Sequence, residues 1–380
     1  MKAGIHSIQE FAAEIARRAE TKKDFIANTK SAEVVPTDRE VTRVKDGKAT
    51  VYNEPVPMLH VGDMKFGINK IGHAQIAEIT RIPKPYYDKM LEEDVGLLTE
   101  NVNTWFTKNA TKQLWRTQDG NLRALRSDKF RTDMEYEDIA ASLLPVLLDL
   151  DVDVMSCQVT DTRMYIKCVD KKVTRELAAI GGKFGDGKHN IVRCLSPAIT
   201  ISDSEVGYGG ANVLTGLYDS FCTNLATFNE RSVRKYHVGA RHELVGEAHY
   251  TMLTDETKRK TQVATMAQLV DVTRAAFDRV QFDALADKVE GTQNDKIESD
   301  DLVKVVSMAG KTFGLSEAEG KSVLKELASG GDLSRFGLYN AITAASASVE
   351  DYDRASDLER IGAQVIELAA NQWKQIATAA

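Results

Sequence analysis

The sequence predicts an α+β protein, with antiparallel β-hairpins packed with a helix in a central domain, followed by a mainly helical C-terminal region. Three observations carry this. Asp119-Gly120 separates two β-prone runs, residues 111–116 and 121–125, and Asp-Gly between such runs is a strong hairpin signal because both residues tolerate positive φ. A second alternating pair, residues 152–159 and 162–169, turns through Thr160-Asp161. From Thr254 onward apolar residues recur at helical spacing. Consecutive hairpins with a helix between them, residues 135–148, favour α+β over a doubly wound parallel sheet.

Taken in order, residues 5–26 form an amphipathic helix, with Ile8, Phe11, Ala12, Ile15 and Ala19 at helical spacing. Pro36, Pro55 and Pro57 break up residues 30–67, which read as loops and short strands such as Thr50-Val51-Tyr52. Residues 71–79 and 85–98 are helical, the second entered through a proline. Pro145 is expected to bend the helix between the hairpins. Residues 173–180 read as helix, 191–201 as an apolar strand-like run, and 217–224 as a short helix. Val263, Met266, Val270, Phe277 and Val280 form a coiled-coil-like seam. After a polar break over 291–301, helices are expected at 302–308, 317–328, 336–347 and 355–375. The resulting division is 1–104 (mixed helical and irregular), 105–250 (α+β core) and 251–380 (helical), with no internal repeat.

At 380 residues the chain can bury a large core, and 43% hydrophobic with 28% charged residues is ordinary for a globular protein. A net charge of -7 argues against a uniformly basic nucleic-acid coat but not against a local basic stripe. Cys157, Cys168, Cys194 and Cys222 have neither zinc-knuckle nor disulfide-framework spacing and read as free thiols in a reducing cytosol. No stretch of eighteen apolar residues exists, and charges interrupt the N-terminal segment, so the expectation is a cytoplasmic protein without a membrane partner.

The residues from Lys188 to His249 gather small polar side chains, glycines, carboxylates and cations. Just upstream, Gly182-x4-Gly187-Lys188 has the spacing of a phosphate-binding loop. That loop needs a preceding strand, a following helix, and Ser or Thr after the lysine. His189 stands there and the flanking patterns are reversed, so a glycine-rich surface turn is expected. Asp203 and Glu205, two apart on an extended strand, would share a face and could hold a divalent metal with His237 and His242, or with His249. The competing account is that Asp203 and Ser204 simply turn the chain after the strand.

The cations form two patches. Lys108, Lys112, Arg116, Arg123, Arg126, Lys129 and Arg131 are interleaved with Trp105, Trp115 and Phe130. Arg231, Arg234, Lys235 and Arg241 follow later, with Tyr236 among them. Cations that track phosphates, with aromatics on which bases stack, are what single-stranded nucleic-acid binding requires. The competing account is a solvated sheet face whose long stems cover apolar surface.

Two segments carry a family resemblance. Ile199-Thr200-Ile201-Ser202-Asp203-Ser204-Glu205-Val206-Gly207, with Leu217-Tyr218-Asp219-Ser220-Phe221-Cys222-Thr223-Asn224 and Arg241-His242, is the first; Phe336-Gly337-Leu338-Tyr339-Asn340-Ala341-Ile342-Thr343 is the second. Together they resemble a family of uncharacterised phage- and plasmid-encoded proteins with ordered S-N-S-E-x-G, C-x-N-G, basic-His and W-G-x-x-N-A-V-T elements. The resemblance spans residues 122–373. Asp203 stands where that family has Asn, Leu225 where it has Gly, and Phe336 where it has Trp. It implies mobile-element biology in a host cytoplasm rather than a reaction. The hairpins, basic strands and self-association are also similar, at fold level, to phage single-strand annealing proteins.

The expectation is therefore a non-enzymatic, homo-oligomeric protein that binds nucleic acid, single-stranded DNA above all, without a cofactor. Lys112, Arg116, Arg123, Arg126 and Lys129 would contact phosphates, Trp115 and Phe130 would stack on bases, and Arg231, Arg234, Lys235 and Arg241 would form a second line. The alternative is a metal-dependent, nuclease-like enzyme built on Asp203, Glu205, His237 and His242. A third reading is a structural or host-interaction oligomer using its helical region.

Overall fold

The computed structural model describes residues 1–5, 7–45, 48–130, 134–177, 193–220, 223–228, 233–235 and 255–379. Its architecture is α+β, built on two mainly antiparallel sheets and a helical C-terminal part. Helix α1 (Ile8–Thr21) opens with a capping box in which Ser7 and Glu10 satisfy each other's backbone N–H. The first sheet combines β1 (Lys23–Asn28), β2 (Ala32–Lys45), β3 (Lys48–Val61), β4 (Met64–Ile68), β5 (Lys112–Gln118) and β6 (Asn121–Ser127) in the order β1-β5-β6-β4-β3-β2. It runs across residue 104, so the expected boundary there passes through one sheet. Helices α2 (Lys70–Thr80), α3 (Lys84–Glu93) and α4 (Val95–Lys108) cover one face over Val34, Leu59, Trp115 and Leu125. The β5–β6 turn has Asp119 at φ 50° and Gly120 at φ 73°, the positive values anticipated for Asp-Gly.

Residues 30–67 differ from expectation. Instead of loops and short strands, β2 and β3 are each 14 residues long and pair from Ala32–Val61 out to Lys45–Lys48. Only the base packs, through Ala32, Val34, Leu59 and Val61, so the remainder projects as a two-stranded ribbon. The prolines are tolerated because, among the described residues, β4 pairs only with Leu59–Val61 of β3 and no strand pairs with the outer edge of β2. A missing N–H on those edges breaks no ladder. On β2, Asn103 of α4 satisfies the N–H and carbonyl of Val34, both at 2.8 Å.

The second sheet has the central order β12-β11-β10-β8-β7, from β7 (Asp153–Val159), β8 (Met164–Val169), β10 (Cys194–Asp203), β11 (Ala211–Asp219) and β12 (Asn224–Thr227), with β9 (Arg175–Glu176) beside β10 and β13 (Val233–Lys235) beside β11. One face, including Ile166, Ile199, Ile201 and Val213, packs on α1, α5 (Tyr136–Asp149) and α6 (Asp255–Ala275). The helix expected over 217–224 is corrected: Leu217–Asp219 pair with β10 and Asn224 begins β12, because register with β10 overrides local pattern. In place of helix at 173–180, Arg175 and Glu176 form β9; residues 178–180, like the Gly182–Lys188 motif, lie outside the described residues.

The coiled-coil-like seam is also corrected. α6 ends at Ala275 and α7 (Arg279–Gly291) starts after a break, with Val263 and Val280 exposed while Met266 and Leu269 enter the protein's own core. The remaining helices are α8 (Leu302–Phe313), α9 (Glu317–Gly330), α10 (Arg335–Ala345), α11 (Tyr352–Glu367) and α12 (Ala370–Ala377). They bury Phe336, Ile342, Leu358 and Val365 in one core. Arg335 donates to the carbonyls of Val365 (2.7 Å) and Ile366 (2.8 Å), satisfying the orphan acceptors at the end of α11. No helix among the described residues is long and apolar enough to cross a membrane.

Candidate functional site

The polar stretch after β10 lies where the two sheets meet, and its contacts explain its composition. Val206 O accepts from Gln75 Nε2 of α2 at 2.8 Å, and Ser204 Oγ donates to Thr162 O at 2.7 Å. Gly207 has φ 85°, a backbone conformation that favours glycine, and the Arg126 guanidinium packs against its Cα. Glu205 accepts from Lys22 Nζ at 3.1 Å and from the Tyr136 N–H at 2.8 Å. Arg116 Nη1 donates to Glu205 O at 2.8 Å and to Glu135 Oε2 at 3.1 Å, while Nη2 reaches Glu135 Oε1 and Asp24 Oδ2, both at 2.6 Å.

In this junction Lys22, Arg116 and Arg123 meet Asp24, Glu135 and Glu205, with Asp203 buried close to Tyr136. Glu135 and Glu205 are bonded side chain to side chain and share one proton, which belongs on Glu135. Burial and then the neighbouring Glu205 push that carboxyl up, to about 8. Burial also opposes ionisation of Glu205. The hydrogen bond from Glu135, with Lys22 and Arg116, outweighs it and holds Glu205 at about 2.

The expected stripe therefore divides. Trp115 is 0% exposed, with Nε1 donating to Ala27 O at 3.1 Å and Phe25 stacked at 6.4 Å, so it offers no face to a base. Arg116 at 1% and Arg123 at 5% exposure cannot meet a backbone either. The reason is that both faces of the β5–β6 hairpin are covered, one by α2–α4 and the other by the junction. Arg126 is half-buried against the Phe130 ring, 5.9 Å from its centroid. Lys112 and Lys129 are exposed. Of the second patch, Lys235 is half-buried opposite Ala211, Arg234 stands in β13 opposite Asn212, and Arg231 and Arg241 lie outside the described residues.

Lysines at one end of the first sheet gather instead. Lys112 pairs in register with Asn28, two residues before Lys30. The Thr29 hydroxyl donates to Phe106 O (3.0 Å), which brings Lys108 alongside, and the Lys129 N–H reaches Ser127 Oγ at 3.3 Å, where Ser127 stands opposite Gln113. Lys30, Lys108, Lys112 and Lys129 are all exposed, and none has an ion pair among the described residues. Trp105 is 38% exposed, with Lys108 Nζ 5.5 Å from its ring.

On the other side of the polar stretch, a pocket of about 240 Å³ opens between the second sheet and α11, and a cleft of about 500 Å³ lies against α2, α3 and the start of α11. Tyr208, 43% exposed, borders both.

The metal reading finds a rearranged pair. β10 ends at Asp203, so Glu205 lies beyond the strand and does not share its face by strand alternation; its carboxylate is engaged by Lys22 and the Tyr136 N–H. His237, His242 and His249 lie outside the described residues, and among the described ones no group of three His, Cys, Asp or Glu is placed to hold a metal ion.

The two segments behind the family resemblance meet in space. Arg193 bonds to Asp219, reaches Asn340 Oδ1 at 3.1 Å and lies 4.9 Å from the Phe336 ring centroid. Asn224 Nδ2 donates to Asn340 O at 3.3 Å. With Asp219 and Phe336 fully buried, this contact docks α10 onto the sheet. No protein-family model, curated protein or solved structure matches the chain. Lys30 and the pocket residues Arg163 and Arg360 escaped the sequence reading, for nothing local distinguishes them. The pocket's Ser202, Tyr208, Gly209 and Gly210 stood inside the polar stretch already singled out.

Proposed function

We propose that the protein binds single-stranded nucleic acid through its phosphate backbone, at the lysine-bearing end of the first sheet. The observation that carries this reading is the set Lys30, Lys108, Lys112 and Lys129, exposed and without ion pairs among the described residues, together with the exposed Trp105 beside Lys108. Lysine ammoniums release counterions when they meet phosphates, and an indole face accepts any base, so the two together suit a strand read without sequence preference. Lysines are costly to hold in fixed pairs on a surface and easily redirected to a ligand. The phage- and plasmid-like elements suggest single-stranded DNA as the strand, in replication or recombination within a host cytoplasm. Fluorescence anisotropy with a labelled oligodeoxythymidine at about 50 mM and about 200 mM salt tests it, since phosphate contacts lose affinity steeply over that range. Binding that weakens with salt, together with weaker binding by Trp105→Ala, is expected. No binding at low salt, or binding indifferent to salt, overturns the reading.

A further inference from the structure

We infer that the pocket beneath Tyr208 receives a single unstacked nucleobase of the bound strand, an inference that rests on the nucleic-acid reading above and assigns that strand a second, base-directed site. Its volume, about 240 Å³, falls below the roughly 300–1,000 Å³ typical of sites for larger ligands. Its wall mixes donors and acceptors rather than charges of one sign. Thr200 and Thr227 face each other with hydroxyls 3.2 Å apart, Ser202 and Asn212 stand on the neighbouring strand positions, and Asp357 partly neutralises Arg360. Ser356, Asp357 and Arg360 of α11 close the side facing the sheet, so polar groups border the pocket from both elements.

Tyr208 supplies the platform. Its N–H donates to Ser204 Oγ at 2.9 Å, and its carbonyl accepts from Arg163 Nε at 3.0 Å, so the backbone is held from both sides while the ring stands at the mouth. Tyr165 lies in the wall. A planar ring with alternating donors and acceptors, stacked on an aromatic and bonded along its edge, is how an unpaired base is held. The route from the phosphate-facing end is continuous in residues: Arg126 lies over Phe130, which follows Lys129, and packs against Gly207 beside Tyr208.

Calorimetric titration of the full chain with each of the four deoxynucleoside 5′-monophosphates, and with deoxyribose 5-phosphate, tests the site. At least one nucleotide should bind about tenfold or more tighter than the sugar phosphate. Tyr208→Ala should remove about tenfold of that affinity while Tyr208→Phe keeps it, the loss expected of one stacked base. Thr227→Val should weaken the same nucleotide. Equal binding of deoxyribose 5-phosphate, or nucleotide binding unchanged by Tyr208→Ala, overturns the proposal. If oligonucleotides bind in a salt-dependent manner but no mononucleotide does, the pocket fails and the lysine surface stands. If mononucleotides bind but oligonucleotides do not, the lysine surface fails and the base site stands on its own.

Discussion

Arg116 and Glu135 form a two-point ion pair, Nη2–Oε1 at 2.6 Å and Nη1–Oε2 at 3.1 Å, that fastens the first sheet to the second. Arg116 belongs to β5, and Glu135 immediately precedes α5, which packs under the second sheet. Removing the guanidinium leaves Asp24 without this cation and Glu135 with Lys22 alone. Arg116→Met should lower unfolding stability by about 3–5 kcal/mol, as when one partner of a buried pair is lost. Guanidinium-chloride unfolding of that variant checks it; a change near zero would mean the pair does not hold the sheets together.

Arg123, seven residues along the same hairpin, should behave oppositely. Its Nε and Nη2 are buried without hydrogen-bond partners among the described residues, and burial lowers the pKa of its guanidinium. Arg123→Met removes unsatisfied donors from a covered site and should raise stability, by about 1–3 kcal/mol if the desolvation cost is recovered in full. The same unfolding measurement decides the sign.

The Glu135–Glu205 pair gives stability a pH dependence. Glu135 titrates near 8 in the folded chain against an ordinary value of 4.5, so between those limits the folded state holds a proton that the unfolded state has lost. Stability from this group therefore falls as pH rises through that window and levels off above it. His73 opposes it at lower pH, because burial takes that imidazole down to about 4, and its contribution is lost as pH falls below its ordinary 6.5. The clean interval is pH 6.5–8. There wild type should lose stability with rising pH while Glu135→Gln, which cannot ionise, should not; parallel slopes in the two proteins would contradict the shared proton.

The projecting ribbon should be dispensable for folding. Thr37 and Val56 are in register, and beyond them the described side chains are exposed or half-exposed. Replacing residues 38–55 by Asn-Gly, a two-residue hairpin turn, should change stability by about 0.5 kcal/mol or less, as for other surface changes. Thermal unfolding followed by circular dichroism measures it, and a large fall would reveal a packing role for the ribbon.

Local chemistry made much of the fold legible. Asp119-Gly120 announced its hairpin because tolerance of positive φ is intrinsic to Asp and Gly and needs no tertiary contact, and the C-terminal helices announced themselves by period. The candidate site was legible only in part. Trp115 and Arg116 looked like a nucleic-acid face because composition records which residues a strand carries, not that helices cover one side of it and a second sheet the other. The register shift between Arg116 and Thr117 breaks simple alternation as well. Pro36, Pro55 and Pro57 concealed the ribbon, since a proline signals a broken strand unless one knows that its edge is free. Lys112 and Lys129 were identified, and their grouping with Lys30 depends on the β1–β5 pairing.

The salt dependence of oligonucleotide affinity tests the central claim most directly. Single-stranded binding falls with salt by a log–log slope of roughly −0.7 per phosphate neutralised, so four lysines should give roughly −3. Lys112→Gln with Lys129→Gln should make that slope shallower by roughly 1.4 with the fold intact, both side chains being exposed. A slope the double variant leaves unchanged, or a protein that binds no strand at low salt, would contradict the account.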